Sequence, residues 1–306
     1  MNILVHGGMV FDSTAGRFYR LDVLCRDGKI TALFPPGSEI EIPDEVLSMD
    51  ATGRLVLPGF VDMHVHLREP GFEHKETIAG GSFAGAAGGF TSLACMPNTK
   101  PVNDCVEVTE KIKAAGLKAG IARIYPIASL SVGQKGEKLT DFASLKAAGA
   151  VGVSDDGFPV ADSSLMRKAL VEGTHAGLLP VSHSEDPYLF RGGVMHEGAV
   201  AESLGLPGIP SACEEIMVFR EIMLAKLTGC RVHIAHVSTG GSVELLRRAK
   251  QQNIPVSAET APHYFILDHT AAIRYGENAK MNPPLREAGD VEAVRKGLAE
   301  GVIDVI

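Results

Sequence analysis

Two histidines separated by one residue are the first feature of this sequence that could do chemistry. His64 and His66 lie in the run Phe-Val-Asp-Met-His-Val-His at positions 60–66, which is rich in β-favouring side chains. Alternate residues of a strand point to the same face, so both imidazoles could bind one cation. The alternative is a half-buried strand whose histidines only form hydrogen bonds. The pattern favours a metal site, which would need further ligands elsewhere in the chain.

Polar residues of suitable types also follow the other predicted strands. In chain order they are Arg68 after the first strand, Asn98 after the second, Asp155 and Asp156 after the fourth, His183 after the fifth, His236 after the sixth, and His263 and Asn282 after the seventh. In a (β/α)₈ barrel the reactive groups lie at the C-terminal ends of the strands. Four histidines and an aspartate would then meet at one rim.

Such a ligand set predicts the metal and the reaction. Imidazole and carboxylate without thiolate suit Zn²⁺ and could also hold Mn²⁺ or Co²⁺. Five ligands exceed the needs of one tetrahedral ion, so we expect two ions roughly 3.5–4 Å apart with the carboxylate as a bridge. Two ions around one water would lower the pKa of that water and polarise a carbonyl. The sequence therefore predicts hydrolysis of an amide.

The remaining histidines have simpler interpretations. His233 lies in mid-strand, faces away from His236 and is predicted to be structural. His263 lies on the correct rim, where support of a ligand and direct contact are equally compatible with its position. No role is predicted for the histidines in loops, helices or the N-terminal part, which are His6, His74, His175, His196 and His269.

Strand and helix alternate from residue 58 onward. Seven β/α units can be recognised, and residues 302–306 begin an eighth strand. This alternation predicts parallel strands joined by right-handed crossovers. We predict an α/β fold, a TIM-type (β/α)₈ barrel over residues 58–306 whose eighth strand is incomplete in this chain. An open doubly wound sheet is the alternative, but no Gly-rich dinucleotide fingerprint follows the first strand.

Residues 1–57 have a different sequence pattern from the rest of the chain. Short β-type runs are broken by turn signals, among them Asp27-Gly28, which indicates a hairpin. We predict a small N-terminal domain resembling a β-sandwich. Its strands are too few to bury two faces, so the domain is expected to need strands from the C-terminal part of the protein.

Composition limits the class of protein. The chain of 306 residues has 45 % hydrophobic and 22 % charged residues, as globular proteins do, and its net charge of −8 argues against nucleic acid as a partner. No stretch predicts a transmembrane span or a signal peptide. Five cysteines without paired spacing indicate reduced thiols, so we expect a cytoplasmic protein.

Six motifs, in order along the chain, resemble those of the class I dihydroorotases, zinc enzymes of the amidohydrolase superfamily that act in pyrimidine (UMP) biosynthesis. The motifs are Gly-Phe-Val-Asp-Met-His-Val-His-Leu-Arg-Glu-Pro-Gly at 59–71, Met-Pro-Asn-Thr at 96–99, Ser-Asp-Asp-Gly at 154–157, His-Ser-Glu-Asp at 183–186, His-Val-Ser-Thr at 236–239 and Lys-Met-Asn-Pro-Pro-Leu-Arg at 280–286.

The resemblance implies a role for each matching residue. The implied ligands, two histidines for each of two zinc ions and one bridging aspartate, are His64, His66, His183, His236 and Asp156. The implied substrate-binding residues are Arg68, Asn98 and Asn282. A guanidinium can grip the carboxylate of dihydroorotate at two points, and amide side chains can pair with the amide edge of its ring. Hydantoinases and allantoinases often use a carboxylated lysine as the bridge, so an aspartate favours dihydroorotase.

The implied reaction is the reversible, zinc-dependent conversion of dihydroorotate to N-carbamoyl-L-aspartate. A metal-bridged hydroxide attacks the ring carbonyl, and an aspartate after strand 8 carries the proton. Family members continue past the segment equivalent to 301–306 to reach that aspartate, and Asp304 is no substitute because it precedes the rim. We therefore expect a parent chain of roughly 400 or more residues, a size that accommodates the barrel and the small domain. We also expect poor activity from the 306 residues alone.

Two other functions stay open. One is a catalytically inactive scaffold subunit for aspartate transcarbamoylase, although all five implied ligands are present. The other is hydrolysis of a different cyclic amide, of the hydantoinase or allantoinase type. The partners implied are a small-molecule substrate and either a second copy of the chain or aspartate transcarbamoylase, with no nucleic acid and no membrane.

Overall fold

The computed structural model describes all 306 residues, which form two units, Met1–Phe60 and Val61–Ile306. The first unit holds seven short strands: β1 (Ile3–His6), β2 (Met9–Asp12), β3 (Arg17–Arg20), β4 (Asp22–Arg26), β5 (Lys29–Phe34), β6 (Leu47–Asp50) and β7 (Leu55–Val56). One sheet has the order β5-β4-β1-β6 and the other β3-β2-β7. Asp27 and Gly28, with φ of 49° and 75°, form the turn between β4 and β5, so the predicted hairpin is present.

The main sheet runs through the rest of the chain. The strands from Phe60 onward are β8 (Phe60–Val65), β9 (Phe90–Cys95), β10 (Arg123–Ala128), β11 (Gly152–Ser154), β12 (Leu179–Ser182), β13 (Met195–His196), β14 (Gly208–Ile209), β15 (Val232–Ile234) and β16 (Val256–Ala258). Seven of them form one sheet in the order β16-β15-β12-β11-β10-β9-β8, and the pairings from β9 to β16 are parallel. The small strands β13 and β14 pair with each other.

The order of this sheet decides between the two predicted architectures. Spatial order follows chain order throughout, whereas a doubly wound sheet reverses direction at a switch point. Beyond β16, Val305 forms an isolated parallel bridge with Glu259. Val305 belongs to residues 302–306, the segment predicted to begin the eighth strand. The α/β class with consecutive parallel strands is therefore confirmed.

Ten α-helices lie in the second unit: α1 (Ile78–Ala87), α2 (Val106–Ala119), α3 (Phe142–Ala148), α4 (Ser163–Ala176), α5 (Ala199–Leu204), α6 (Ala212–Thr228), α7 (Gly240–Gln251), α8 (Pro262–Ile266), α9 (Ala271–Tyr275) and α10 (Ala288–Ala299). Local sequence sets their limits, as in α4. The Asp162 carboxylate accepts hydrogen bonds from the first free N–H groups of α4, and Gly177 ends the helix with a φ of 68°. None of the helices is long and apolar enough to cross a membrane.

Apolar side chains on the two faces of the sheet form separate cores. Ala128 belongs to a large cluster with the fully buried Leu170, Val218 and Leu246, which come from helices α4, α6 and α7. Its neighbour Ile127 belongs to a smaller cluster on the opposite face. Packing on both faces holds the strands in place, so the residues that follow each strand have fixed positions.

Candidate metal centre

His64 of β8 and His66, which directly follows this strand, point at the same carboxylate. Nε2 of His64 lies 3.6 Å from Oδ1 of Asp156, and Nε2 of His66 lies 3.4 Å from Oδ2. The two ring centroids are 5.3 Å apart. The spacing of two residues along the strand thus places both imidazoles on one face, beside an aspartate that follows β11.

A second pair of histidines approaches Asp156 from the other strands. Nδ1 of His183, which follows β12, is 3.2 Å from Oδ1 of Asp156, and Nε2 of His236 is 3.4 Å from the same oxygen. These two ring nitrogens lie only 2.8 Å from each other. His236 has a φ of 38°, an uncommon conformation for a residue with a side chain, and it aims the ring at the centre.

Asp156 therefore lies between two groups of three possible ligands. Within each group, His64–His66–Asp156 and Asp156–His183–His236, the ligand atoms lie within 4.8 Å of one another. Burial alone would raise the pKa of Asp156, but hydrogen bonds with His183, His236 and His64 hold it well below its ordinary value. The aspartate is thus ionised, and its two oxygens can be shared between two cations.

Two more buried carboxylates stand behind the histidines. Oε1 of Glu259 lies 2.6 Å from Nδ1 of His64, and Oε2 of Glu185 lies 2.9 Å from Nε2 of His183. Each fixes one ring nitrogen of its histidine and leaves the other facing Asp156. Such carboxylate–histidine pairs are typical of metal sites.

Electrostatics of the cluster also fit a cation. Burial lowers the pKa of His64 on its own, yet the hydrogen bonds to Asp156 and Glu259 raise it to about 10. His183 behaves likewise, because its bonds to Asp156 and Glu185 raise its pKa to about 9 against the effect of burial. Protons are held strongly because the buried carboxylates need positive charge. Divalent cations would supply that charge and could replace the protons.

The three predicted substrate-binding residues lie in different surroundings. Arg68 lies near His66, whose pKa falls to about 4 through burial and also through repulsion by neighbouring positive charges that include Arg68. No carboxylate pairs with the Arg68 guanidinium. Asn98 donates from Nδ2 to the main-chain carbonyl of Asp156 at 2.7 Å, while its buried Oδ1 has no partner. Asn282 lines a cavity together with His64, His66 and His236.

This cavity has a volume of about 380 Å³. Its walls include both histidines of the first pair, His64 and His66, and His236 of the second, together with Glu259, Tyr264 and Asn282. His263 also lies on the wall, where burial and then repulsion by His236 lower its pKa. The cavity has the size of a small-ligand site and opens onto the face of the cluster.

His233 lies next to the cluster around Asp156 and contacts Glu259. His233 is buried, and its Nδ1 lies 2.8 Å from Oγ of Ser257, while its Nε2 lies 3.3 Å from Oε2 of Glu259. His233 thus orients the carboxylate that orients His64. Sequence reasoning missed Glu259, although its position directly after the seventh strand of the predicted barrel could have marked it.

A buried ion pair supports the segment after His236. Oε1 of Glu214 accepts hydrogen bonds from the main-chain N–H groups of Ser238 and Thr239, both at 3.1 Å. Arg286 donates from Nε to Oγ of Ser238 at 3.0 Å and lies 3.7 Å from Glu214. Sequence reasoning gave neither of these charged residues a role, because each acts through residues far away in the chain.

Comparison with known proteins gives one family and one fold. The family described as dihydro-orotase-like matches residues 53–242. The chain is 54 % identical to the dihydroorotase of Pelotomaculum thermopropionicum over 307 residues, which covers all of this chain and 70 % of that protein. It is 50 % identical to the dihydroorotase of Anaeromyxobacter dehalogenans (strain 2CP-C) over 306 residues, with 99 % and 70 % covered.

Solved structures with a similar fold are more distant in sequence. The L-hydantoinase (dihydropyrimidinase) of Arthrobacter aurescens superposes with a TM-score of 0.82 at 23 % identity, covering 99 % of this chain and 68 % of that protein. The D-hydantoinase (dihydropyrimidinase) of a Thermus species gives 0.79 at 23 % identity, with the same coverage. These likenesses concern the fold alone, and they confirm the predicted barrel of TIM type.

Proposed function

Because the chain belongs to the dihydroorotase-like family, it is a hydrolase of cyclic amides, and we propose that the cluster around Asp156 is its catalytic centre. Its function is that of a dihydroorotase, which interconverts dihydroorotate and N-carbamoyl-L-aspartate. The observation that carries the assignment of the centre is geometric. Two pairs of imidazole nitrogens from distant parts of the chain lie 3.2–3.6 Å from the oxygens of one buried carboxylate.

The enzyme uses a metal cofactor, and we propose two zinc ions. His64 and His66 would hold one ion, His183 and His236 the other, and Asp156 would bridge them. Neutral imidazole and carboxylate ligands without thiolate support zinc. When bound there, zinc would supply Lewis acidity toward a carbonyl oxygen and lower the pKa of a water molecule.

The chain's own residues would bind and orient the substrate. The Arg68 guanidinium lacks a carboxylate partner and could take the substrate carboxylate at two points. The buried Oδ1 of Asn98 could accept a hydrogen bond from a ring N–H group. Asn282 would contact the substrate from the cavity wall. These positions support Arg68, Asn98 and Asn282 as the proposed substrate-binding residues.

Relative turnover of three substrates tests the function. Zinc-loaded protein should prefer dihydroorotate over hydantoin and allantoin, and the ranking is informative even when the absolute rate is low. Arg68→Gln should weaken binding of N-carbamoyl-L-aspartate, measured by calorimetry, while leaving the zinc content unchanged. A preference for hydantoin or allantoin would contradict the assignment.

We also propose a compartment and partners for this protein. All five cysteines are free thiols, which supports a reducing compartment such as the cytoplasm. A homodimer and a complex with aspartate transcarbamoylase stay predictions from the family resemblance. Sedimentation of the purified protein, alone and mixed with the transcarbamoylase, would test both.

A further inference from the structure

We propose that His196, His269 and Glu287 form a separate binding site for one divalent transition-metal ion, with Zn²⁺ as the expected occupant. Their ligand atoms lie within 4.8 Å of one another, and the site shares no residue with the cluster around Asp156. No role for His196 or His269 follows from the sequence, because they stand alone in segments without metal-ligand spacing.

The three residues come from three separate segments. His196 ends β13, His269 lies in the turn between α8 and α9, and Glu287 immediately precedes α10. Nε2 of His196 is 3.8 Å from Oε1 of Glu287, and the centroids of the two histidine rings are 5.5 Å apart. Ligands of a tetrahedral zinc ion lie roughly 3.4 Å from each other, given zinc–nitrogen distances of about 2.05 Å. Small side-chain rotations would therefore complete the site.

An unpartnered ring nitrogen is a second observation that points to a ligand. Nδ1 of His269 is buried and has no hydrogen-bond partner, a state that is costly for a polar atom. The main-chain N–H of His269 donates to the carbonyl of Arg286 at 2.8 Å, which fixes the turn next to Glu287. A metal ion would give the idle nitrogen a partner. Glu287, whose side chain is 59 % exposed, leaves a path from solvent.

The donor set selects the class of metal. Two imidazoles and one carboxylate suit zinc, cobalt or nickel, whereas magnesium and calcium prefer oxygen ligands alone. Three protein ligands leave a fourth position for water.

One neighbouring charge should make this site weaker than the cluster around Asp156. Nη1 of Arg286 lies 3.4 Å from Nδ1 of His196, so its positive charge opposes a cation. Nη1 also donates to the carbonyl of Ile209 at 3.2 Å, and Nη2 lies 3.7 Å from Glu214. The guanidinium therefore keeps other partners if it shifts away from His196.

Zinc stoichiometry tests the site directly. The full chain is dialysed against zinc buffers of increasing free concentration, and bound zinc is counted by mass spectrometry. We expect a third equivalent to bind more weakly than the first two. His269→Asn and Glu287→Gln should each weaken the third equivalent at least about tenfold, since loss of even an indirect contact commonly has that effect. His175→Asn, which replaces an exposed histidine of α4, serves as the matched control.

The outcomes separate this site from the proposed catalytic centre. Loss of the third equivalent in both variants, with the first two retained, supports the site. A wild-type chain that stops at two ions overturns it, as does a third ion bound equally well by His269→Asn and Glu287→Gln. Failure of the first two equivalents alone would instead count against the binuclear centre. Thermal unfolding in chelator verifies that the variants remain folded.

Discussion

At the scale of single residues, one histidine of each pair has a carboxylate behind it. Glu259 holds Nδ1 of His64 at 2.6 Å, and Glu185 holds Nε2 of His183 at 2.9 Å. The two histidines therefore face the centre through opposite ring nitrogens. Because a carboxylate fixes the tautomer and increases the basicity of the ring, it strengthens the bond to a metal.

Glu259→Gln should weaken zinc binding while the fold survives. The amide keeps the shape of the carboxylate but lacks its charge, and we expect the zinc affinity to fall about 10–100-fold. Competition with a chromophoric chelator measures this change. Glu277→Gln, at an exposed glutamate, is the control. Equal zinc affinities in the two variants would show that Glu259 does not support His64.

The metal-free chain should lose stability as the pH rises above 6.5. Hydrogen bonds to buried carboxylates, opposing the effect of burial, raise the pKa of His64 to about 10 and that of His183 to about 9. A group with a raised folded-state pKa stabilises the fold fully below its unfolded pKa, here 6.5. This contribution disappears as the pH passes the folded-state pKa. The urea midpoint in chelator should therefore fall between pH 6.5 and about 10.

Two controls isolate the histidines from other groups that titrate in this range. Zinc-loaded protein should show a smaller decrease, because the imidazoles then bind metal in place of protons. His64→Gln should also reduce the decrease in the metal-free chain. A decrease of the same size in all three samples would assign the effect to other titrating groups.

At the scale of secondary-structure elements, the start of helix α6 supports the segment after β15. Glu214 accepts two main-chain N–H groups from residues 238 and 239 and pairs with the buried Arg286. This segment follows His236, whose positive φ depends on its surroundings. One charged contact thus connects α6, the segment after β15 and the segment that carries Asn282.

Glu214→Ala should destabilise the chain strongly. It leaves the Arg286 charge and two N–H groups buried without their partner, so we expect the free energy of unfolding to fall by about 3–5 kcal/mol. Urea unfolding measures the loss. Glu292→Ala removes an exposed partner of Arg295 and should cost no more than about 1 kcal/mol. Similar losses in both variants would mean that the buried pair is not a major support.

The elements differ in how well the sequence predicts them. Long helices and buried strands were predictable because the apolar residues of each recur with the period of that element, and turn residues mark its ends. The helices α8 and α9 have five residues each, too few to show a period, and β13 and β14 have two each. The roles of Glu259 and Glu214 were not predictable, since the first acts on a histidine 195 residues away in the chain.

At the scale of the whole second unit, the centre connects strands from one end of the sheet to near the other. His64 lies in β8 at one edge and His66 directly follows that strand. Asp156 follows β11 in the middle, and His236 follows β15, one strand from the far edge. The sequence placed these residues at one rim because parallel strands in chain order share a C-terminal side. It left open which aspartate faces the metal until the family resemblance indicated Asp156. The division into domains at residue 57 stays a prediction.

Zinc should therefore stabilise the chain, and the two neighbouring aspartates should respond differently to substitution. A free zinc concentration one hundred times the Kd should add about 2.7 kcal/mol per site to the free energy of unfolding. Asp156→Asn should remove most of this increment. Asp155 instead accepts hydrogen bonds from Oγ of Ser129 at 2.8 Å and from the main-chain N–H of Ser131 at 2.9 Å. Asp155→Asn should lower stability equally with and without zinc, because it weakens the fold and leaves the proposed metal ligands in place.

Urea unfolding of the wild-type chain and both variants, in chelator and in buffered zinc, gives the six values needed. A retained zinc increment in Asp156→Asn would mean that its carboxylate does not join the two halves of the centre. Loss of the zinc increment in Asp155→Asn alone would mean that Asp155, and not Asp156, bridges the two ions. Asp155 and Asp156 are adjacent and both buried, so the loss of a buried carboxylate would by itself change the stability of the two variants in the same way. A difference between their zinc increments therefore identifies the aspartate that binds the metal.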